Sequence, residues 1–237
     1  MTYQTVFRRY ELKYLITKSQ KRLILSAIEP YMALDKYGQT NIRNIYFDTK
    51  NYRLIRQSIE KPIYKEKLRI RSYGKADLQS TVFVELKKKY RSIVYKRRIS
   101  LPHQKALDWL NYSSNQITYN QIANEINYFL NFYGPLVPTV FISYKREAYY
   151  CKDCSDFRLT FDDDIRYRDN ELSLKKDVWG LPLLDNDVIL MELKCTTSIP
   201  QWMSLILTEN HIYKTSFSKY GNIYEKMILP KWKELNL

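Results

Sequence analysis

The sequence predicts an α+β fold: a closed, eight-stranded antiparallel β-barrel with a basic lumen, surrounded by helices. Three observations carry this expectation. Charged and apolar residues alternate in segment after segment, several of these segments are joined by short polar turns, and few devices protect an open sheet edge. Lys67-Leu68-Arg69-Ile70-Arg71 shows the alternation. Residues two apart share a strand face, so one face here is cationic and the other is Leu and Ile. The same alternation runs through Arg9 to Lys13, Phe83 to Lys87, Lys96 to Ile99, Arg158 to Asp162 and Leu190 to Lys194.

In chain order, period-two alternation places strands at about 8–16, 42–48, 66–73, 81–88, 93–99, 139–149, 157–165 and 188–195. Short links at 72–80 and 151–156 make antiparallel neighbours. After the first strand, Thr17-Lys18-Ser19-Gln20 reads as a capping box opening an amphipathic helix through Leu23, Ile24, Ala27 and Ile28. Asp48-Thr49 caps a short helix through Leu54 and Ile55. A helical insertion occupies about 102–138, its main helix running over 116–132 and ending at Gly134-Pro135. Pro200 starts a helix through Trp202, Leu205 and Ile206, and a last helix spans 218–228. No linker or internal repeat divides the chain, so residues 1–237 read as a single domain.

For any one strand the ordinary reading is that the charges are solvated on the outside. Across the set, the helices need sheet faces to cover, and Leu12, Tyr14, Leu68, Ile70, Val82, Val84, Leu159 and Phe161 supply them. The charges then point inward. Dry and unpaired they would each cost on the order of several kcal/mol, which a wet, anion-binding lumen removes. Lys+Arg number 39 against 25 Asp+Glu, a formal charge of +14 that calls for an anionic partner. Nucleic acid, a phospholipid surface and a phosphorylated small molecule all qualify, but placement on alternate strand residues favours a lumen over a basic tail.

No zinc finger or RNA-recognition motif supports specific nucleic-acid binding. Cys151-Lys152-Asp153-Cys154 is a lone pair of thiols and reads as a turn, with Cys195 left over. No apolar run nears the ~20 residues that cross a bilayer, and Met1 to Tyr14 lack an apolar signal core. A cytoplasmic protein is expected, with room for a separate membrane partner.

Taken together, these strands resemble the triphosphate tunnel metalloenzyme superfamily, and within it the vacuolar transporter chaperone (VTC) domain of the polyphosphate polymerase group. The resemblance rests on Arg9-Tyr10-Glu11-Leu12-Lys13-Tyr14, Tyr46-Phe47-Asp48-Thr49, Leu68-Arg69-Ile70-Arg71-Ser72-Tyr73-Gly74 and Val82-Phe83-Val84-Glu85-Leu86-Lys87. It continues through Tyr95-Lys96-Arg97-Arg98, Ser143-Tyr144-Lys145-Arg146-Glu147, Phe157-Arg158-Leu159-Thr160-Phe161-Asp162, Leu190-Met191-Glu192-Leu193-Lys194 and Ser218-Lys219-Tyr220. Many superfamily members carry two alternating glutamates in the first strand. Here Arg9 precedes Glu11, which fits the polymerase branch better than a simple triphosphatase.

The resemblance implies roles. Lys13, Arg69, Arg71, Arg146, Arg158 and Lys219 act on the triphosphate, and Lys87, Lys96, Arg98, Tyr144, Lys194 and Ser218 extend the binding track. Arg offers a planar fork to phosphate oxygens and Lys a point charge. Glu192 holds Mn²⁺ or Mg²⁺, assisted by Glu85 and Glu11, since hard cations take carboxylate and phosphate oxygens. The implied reaction moves the γ-phosphate of ATP to a polyphosphate end and releases ADP. An ionised phosphate acceptor needs no general base, and His103 and His211 lie outside the charged strands. The competing expectations are a tripolyphosphatase or nucleoside triphosphatase, whose water a carboxylate would orient, and a non-catalytic polyphosphate-binding module.

Overall fold

A computed structural model describes residues 6–111, 117, 120–153 and 156–234, with side chains from residue 9 onward. The strands are β1 Val6–Thr17, β2 Met32–Thr49, β3 Tyr64–Tyr73, β4 Thr81–Tyr90, β5 Ile93–Pro102, β6 Leu136–Cys151, β7 Arg158–Arg168, β8 Leu181–Pro182 and β9 Val188–Cys195. They pair antiparallel in the order β6-β2-β3-β4-β5-β1-β9-β7, and β7 pairs back onto β6. The ring therefore closes over eight strands and leaves none of them as an edge. The two-residue β8 is an appendage on β7 at Arg166 and Tyr167.

All eight expected strands are present. The largest difference is at β2, which begins at Met32 rather than 42. Met32, Ala33 and Leu34 pair with Cys151, Tyr150 and Tyr149 before the register shifts between Leu34 and Gln39. Gly38 takes a φ of +55° within that irregular stretch, a left-handed conformation that interrupts the alternation.

The helices follow their caps. Thr17 and Gln20 form both halves of a capping box at the start of α1 (Lys18–Ile28). α2 (Arg53–Ile59) has no cap bond from Tyr52, which precedes it. Instead Asp48 reaches over from β2 and accepts from the Leu54 and Ile55 amides at 2.9 and 3.0 Å, while Thr49 Oγ1 accepts from Arg53 N at 2.8 Å.

The insertion holds α3 (His103–Asn111) and α4 (Gln121–Tyr133). The expected start near 116 falls largely outside the described residues. α4 is capped by Asn120 Oδ1, which accepts from Ala123 N at 2.9 Å, and is stopped by Gly134 at φ +75°. The helical stretch ends earlier than 138, because β6 starts at Leu136 to pair with Thr49. α5 (Gln201–Glu209) follows Pro200. α6 (Lys219–Ile223) is capped by Ser218 and runs through a π-helical turn (Tyr224–Ile228) into α7 (Leu229–Glu234). Among the described residues no helix is long and apolar enough to cross a membrane. Cys151 ends β6, Cys154 lies outside the described residues, and Cys195 is a buried free thiol.

Two clusters cover the outside of the ring. Leu68, Ile70, Val82 and Val84 pack with Ala106, Trp109, Ile126 and Phe129 of the inserted helices. Tyr14, Leu159, Phe161, Met191 and Leu193 pack with Ile24, Ile28, Met203 and Ile206 of α1 and α5, with Leu12 partly buried beside them. A third cluster corrects the expectation of a wholly charged interior. Ile42, Val140, Ile142 and Leu190 share strand faces with the inward charges, yet pack with Phe217, Tyr220 and Ile223 of the C-terminal segment. Part of the inner face is therefore plugged by α6, and the charged remainder forms the cavity.

Candidate functional site: a cationic lumen

The cavity left inside the ring has a volume of about 800 Å³. Its walls come from the inward positions of β1, β3, β4, β5, β6 and β9 and from the start of α6. Two carboxylates with no solvent exposure organise the cations on opposite sides of the sequence: Glu85 on β4 and Asp162 on β7.

Glu85 Oε2 accepts from Arg69 Nε at 2.8 Å and lies 3.6 Å from Arg71 Nε, while its other oxygen is 3.4 Å from Lys96 Nζ. Arg69 also donates to the Tyr46 hydroxyl at 2.8 Å. Arg71 donates to Asn44 Oδ1 at 3.0 Å and to the Tyr144 hydroxyl at 3.2 Å. Asp162 takes a bidentate fork from Arg146, 2.6 Å on each arm, and Lys219 Nζ at 2.5 Å. All three guanidinium groups are thereby fixed in orientation before any ligand arrives.

Glu192 is held more loosely, at 3.2 Å from Lys194, 3.5 Å from Arg146 and 3.6 Å from Lys13. Glu11 pairs with Lys87 at 2.6 Å. Lys67 donates to Ser218 Oγ at 2.8 Å, which ties β3 to the start of α6.

Burial alone would raise the Glu85 carboxyl, but Arg71, Lys96 and Arg69 overcome it and hold it well below the ordinary carboxylate range. Burial likewise opposes ionisation of Glu192, and Lys194, Lys219, Lys13 and Arg146 reverse it. The cations show the converse strain. Burial, with Lys13 and Lys87 adding to it, pushes Lys67 well below its usual value. Burial brings Lys96 down to about 7 even though Glu85 pulls the other way. A lumen in which lysines resist their own charge is one that an anion stabilises.

The family model of the VTC domain matches residues 8–228. The chain belongs to the VTC-domain family. Solved structures give the same fold: a candidate adenylate cyclase from Bacillus halodurans superposes with a TM-score of 0.61 at 16% identity, over 94% of this chain and 100% of that one. A candidate adenylyl cyclase from Hippeastrum, described as having a dominant triphosphatase activity, superposes with a TM-score of 0.56 at 16% identity, over 92% and 95% of the two chains. No curated protein matches the sequence.

This VTC domain brings Lys13, Arg69, Arg71, Arg146 and Lys219 onto the cavity wall, together with Lys87, Lys96, Tyr144, Lys194, Ser218, Glu11 and Glu192. Glu85 lies behind this wall, and two expected cations stand apart from it. Arg158 is exposed and pairs in register with Lys194, close enough to Arg9 for their charges to repel. Arg98 pairs in register with Glu85 but turns its guanidinium over the Phe83 ring, 4.8 Å from the centroid and away from Lys87. Asp162, Tyr46, Asn44 and Lys67 join the site without a role expected of them from the sequence. Asp162 had a signal, since it alternates with Arg158 and Thr160 on the inward face of β7.

For a divalent metal, Glu11 and Glu192 are the fitting donors, because both face the cavity and the charge of Glu192 is felt at Glu11. Glu85 does not fit, being sealed beneath three cations. Among the described residues no three His, Cys, Asp or Glu gather as a ready-made metal site, so an ion here would draw further oxygens from a phosphate ligand.

The depressed carboxyls set a pH dependence. Glu11, opposed by burial but pulled down by Lys87, lies at about 2 against an ordinary 4.5. Glu85 and Asp162 are lowered as well. A folded-state value below the unfolded one gives stability that is complete above the unfolded value and lost as pH falls through the folded one. Urea unfolding of the VTC domain is therefore expected to show a steady loss of stability as pH falls from about 4.5 toward 2, separate from a rise between about 7 and 10.5, where the depressed lysines are neutral in the folded state and charged in the unfolded one. A midpoint flat across the acid range would contradict the ion-pair assignments.

Proposed function

We propose that this VTC domain is a metal-dependent polyphosphate polymerase that transfers the γ-phosphate of ATP to the end of a polyphosphate chain and releases ADP. The observation that carries the reading is the pair of buried carboxylates, Glu85 and Asp162, which pre-set Arg69, Arg71, Arg146 and Lys219 around one cavity. In the proposed step a terminal phosphate oxygen of the chain attacks the γ-phosphorus. The bond from that phosphorus to the β,γ-bridging oxygen breaks, and ADP leaves with the electron pair. Phosphoryl transfer of this kind requires alignment and neutralisation of charge rather than a protein nucleophile.

Arg69 and Arg71 approach from β3, Arg146 from β6 and Lys219 from α6, so the phosphate chain is gripped from several sides. Tyr46 and Tyr144 each accept from an arginine and keep their own hydroxyl proton for a phosphate oxygen. Glu192, with Glu11, would hold Mn²⁺ or Mg²⁺. When bound, that ion neutralises charge on the phosphate oxygens.

The second reading is a triphosphatase, favoured by the fold shared with the Hippeastrum protein and its described triphosphatase activity. Against it, four inward carboxylates are each engaged by a cation: Glu11 by Lys87, Glu85 by Arg69, Asp162 by Arg146 and Glu192 by Lys194. A carboxylate paired in this way is a poor base for water, whereas an ionised phosphate acceptor needs none.

The test is incubation with ATP and Mn²⁺ or Mg²⁺, with and without a short polyphosphate primer, resolving products on gels and following ADP. Long polyphosphate matched by ADP is expected, and Glu192→Gln is expected to abolish the metal dependence and most of the turnover. Orthophosphate without chain growth would establish the triphosphatase instead. Tight binding of ATP or polyphosphate with neither product would leave a binding module.

A further inference from the structure

A second cavity of about 600 Å³ lies outside the ring, between α2, α4 and the outward residues of β3 and β4. Its size is ordinary for a small-molecule site. Its chemistry is unlike the lumen's, because aromatic rings share the wall with charges of both signs. Tyr128 and Phe132, one turn apart on α4, stack at 6.1 Å with 19° between their planes, yet remain 71% and 57% exposed. Arg53, in the first turn of α2, lays its guanidinium over Phe132 and Tyr133 at 5.8 and 5.3 Å from the ring centroids. Among the described residues that guanidinium makes no ion pair and no hydrogen bond, so its donors are unspent above a flat apolar platform.

Two carboxylates in the groove are already committed. Glu66 accepts the Tyr64 and Tyr133 hydroxyls at 2.5 and 3.0 Å. Glu125 pairs with Lys88 and Arg97 at 3.3 and 3.4 Å. Glu60 adds a third carboxylate to the wall. An exposed aromatic platform beside an open guanidinium fork suits a planar ring with an acceptor edge. Stacking on such platforms tolerates any base, since every base has a π-face.

The position of the groove narrows the ligand further. Lys65 lines both this cavity and the lumen. Near the end of α2, Gln57 and Glu60 face the groove while Ser58 and Lys61 face the lumen, so the two spaces flank one rim. Lys65 stands four residues from Arg69 on the same face of β3, or about 13 Å at the usual rise of a strand.

We propose that this groove receives the nucleobase of a nucleotide. The proposal rests on the reading of the lumen as an ATP site and assigns the base, which that reading leaves without a partner. The base belongs either to the ATP whose phosphates occupy the lumen or to a separate nucleotide.

The experiment is calorimetry on the full chain, wild type and the variants Tyr128→Ala and Phe132→Ala, titrated with ATP, tripolyphosphate and adenosine. Tyr128 is so exposed that its truncation leaves the fold intact, which keeps the test valid if Phe132→Ala is unstable. The expected result is ATP binding weakened roughly ten-fold or more in the variants, with tripolyphosphate binding unchanged. If saturating tripolyphosphate displaces all ATP, the base is that of the lumen-bound nucleotide. If adenosine still binds beside tripolyphosphate, and the variants abolish this, the base comes from a separate nucleotide.

Unchanged ATP and adenosine binding in both variants would overturn the proposal, as would equal losses for ATP and tripolyphosphate. Wild-type protein that binds adenosine in the groove but no tripolyphosphate would sink the lumen reading alone, which keeps the two failures distinct.

Discussion

Glu85→Gln is expected to destabilise the domain by about 3–5 kcal/mol, the usual cost of removing one partner from a buried ion pair. Glu85 has no solvent exposure, and it is the shared counter-charge of Arg69, Arg71 and Lys96. Glutamine preserves the volume and one acceptor but removes the charge, leaving two guanidinium groups and an ammonium facing each other across β3, β4 and β5. In urea unfolding the midpoint is expected to fall by about 1 M or more. Tripolyphosphate is expected to restore part of the loss, about 2.7 kcal/mol at a hundred-fold excess over its dissociation constant, because the ligand replaces the missing negative charge. A change below about 1 kcal/mol would mean that the cluster relaxes by releasing the Lys96 proton, a route open because burial already holds Lys96 near 7.

Arg146→Lys is expected to lower kcat by about 10²–10³, the range seen when a pre-set charge donor is removed from a transition state. Lysine keeps the charge. It cannot reproduce the fork that Arg146 makes with both Asp162 oxygens while its Nη2 also lies 3.5 Å from Glu192. Asp162 would then lose its two-armed partner and keep only point charges, Lys219 among them. The informative measurement is steady-state turnover beside direct ATP binding, since loss of geometry lowers kcat more than affinity. A variant with unchanged kcat would show that Arg146 serves the stability of the β6–β7 wall and not the reacting phosphates.

Much of the fold was legible because it depends on local alternation. Arg69, Ile70 and Arg71 identify a strand and its two faces without knowledge of any neighbour, and Thr17 with Gln20 marks a helix start within four residues. Where the reading missed, the deciding partner was distant in sequence. The first half of β2 lacks clean alternation and is a strand because the end of β6 pairs with it. Asp162 gains its importance from Arg146 and from Lys219 on another element. The apolar inner residues Ile42, Ile142 and Leu190 look like ordinary core, and only the seat of the C-terminal segment shows that they face inward. Arg98 and Arg158 carry the inward phase, but their height along the barrel follows from strand stagger, which the phase of a single strand does not contain.

Ring closure also sets an order in time. β1 is made before the other strands of the ring, yet it pairs with β5 on one side and with β9 on the other, where Glu11 meets Lys194. Eight of its twelve paired residues therefore have no partner until β9, at residues 188–195, has been made. Pairings this remote in sequence slow folding, because the loop must close before any contact rewards it. The same delay keeps the inward lysines and arginines hydrated until the last stave locks. Folding in the presence of tripolyphosphate should therefore accelerate only the final phase, since the anion has no lumen to enter before then.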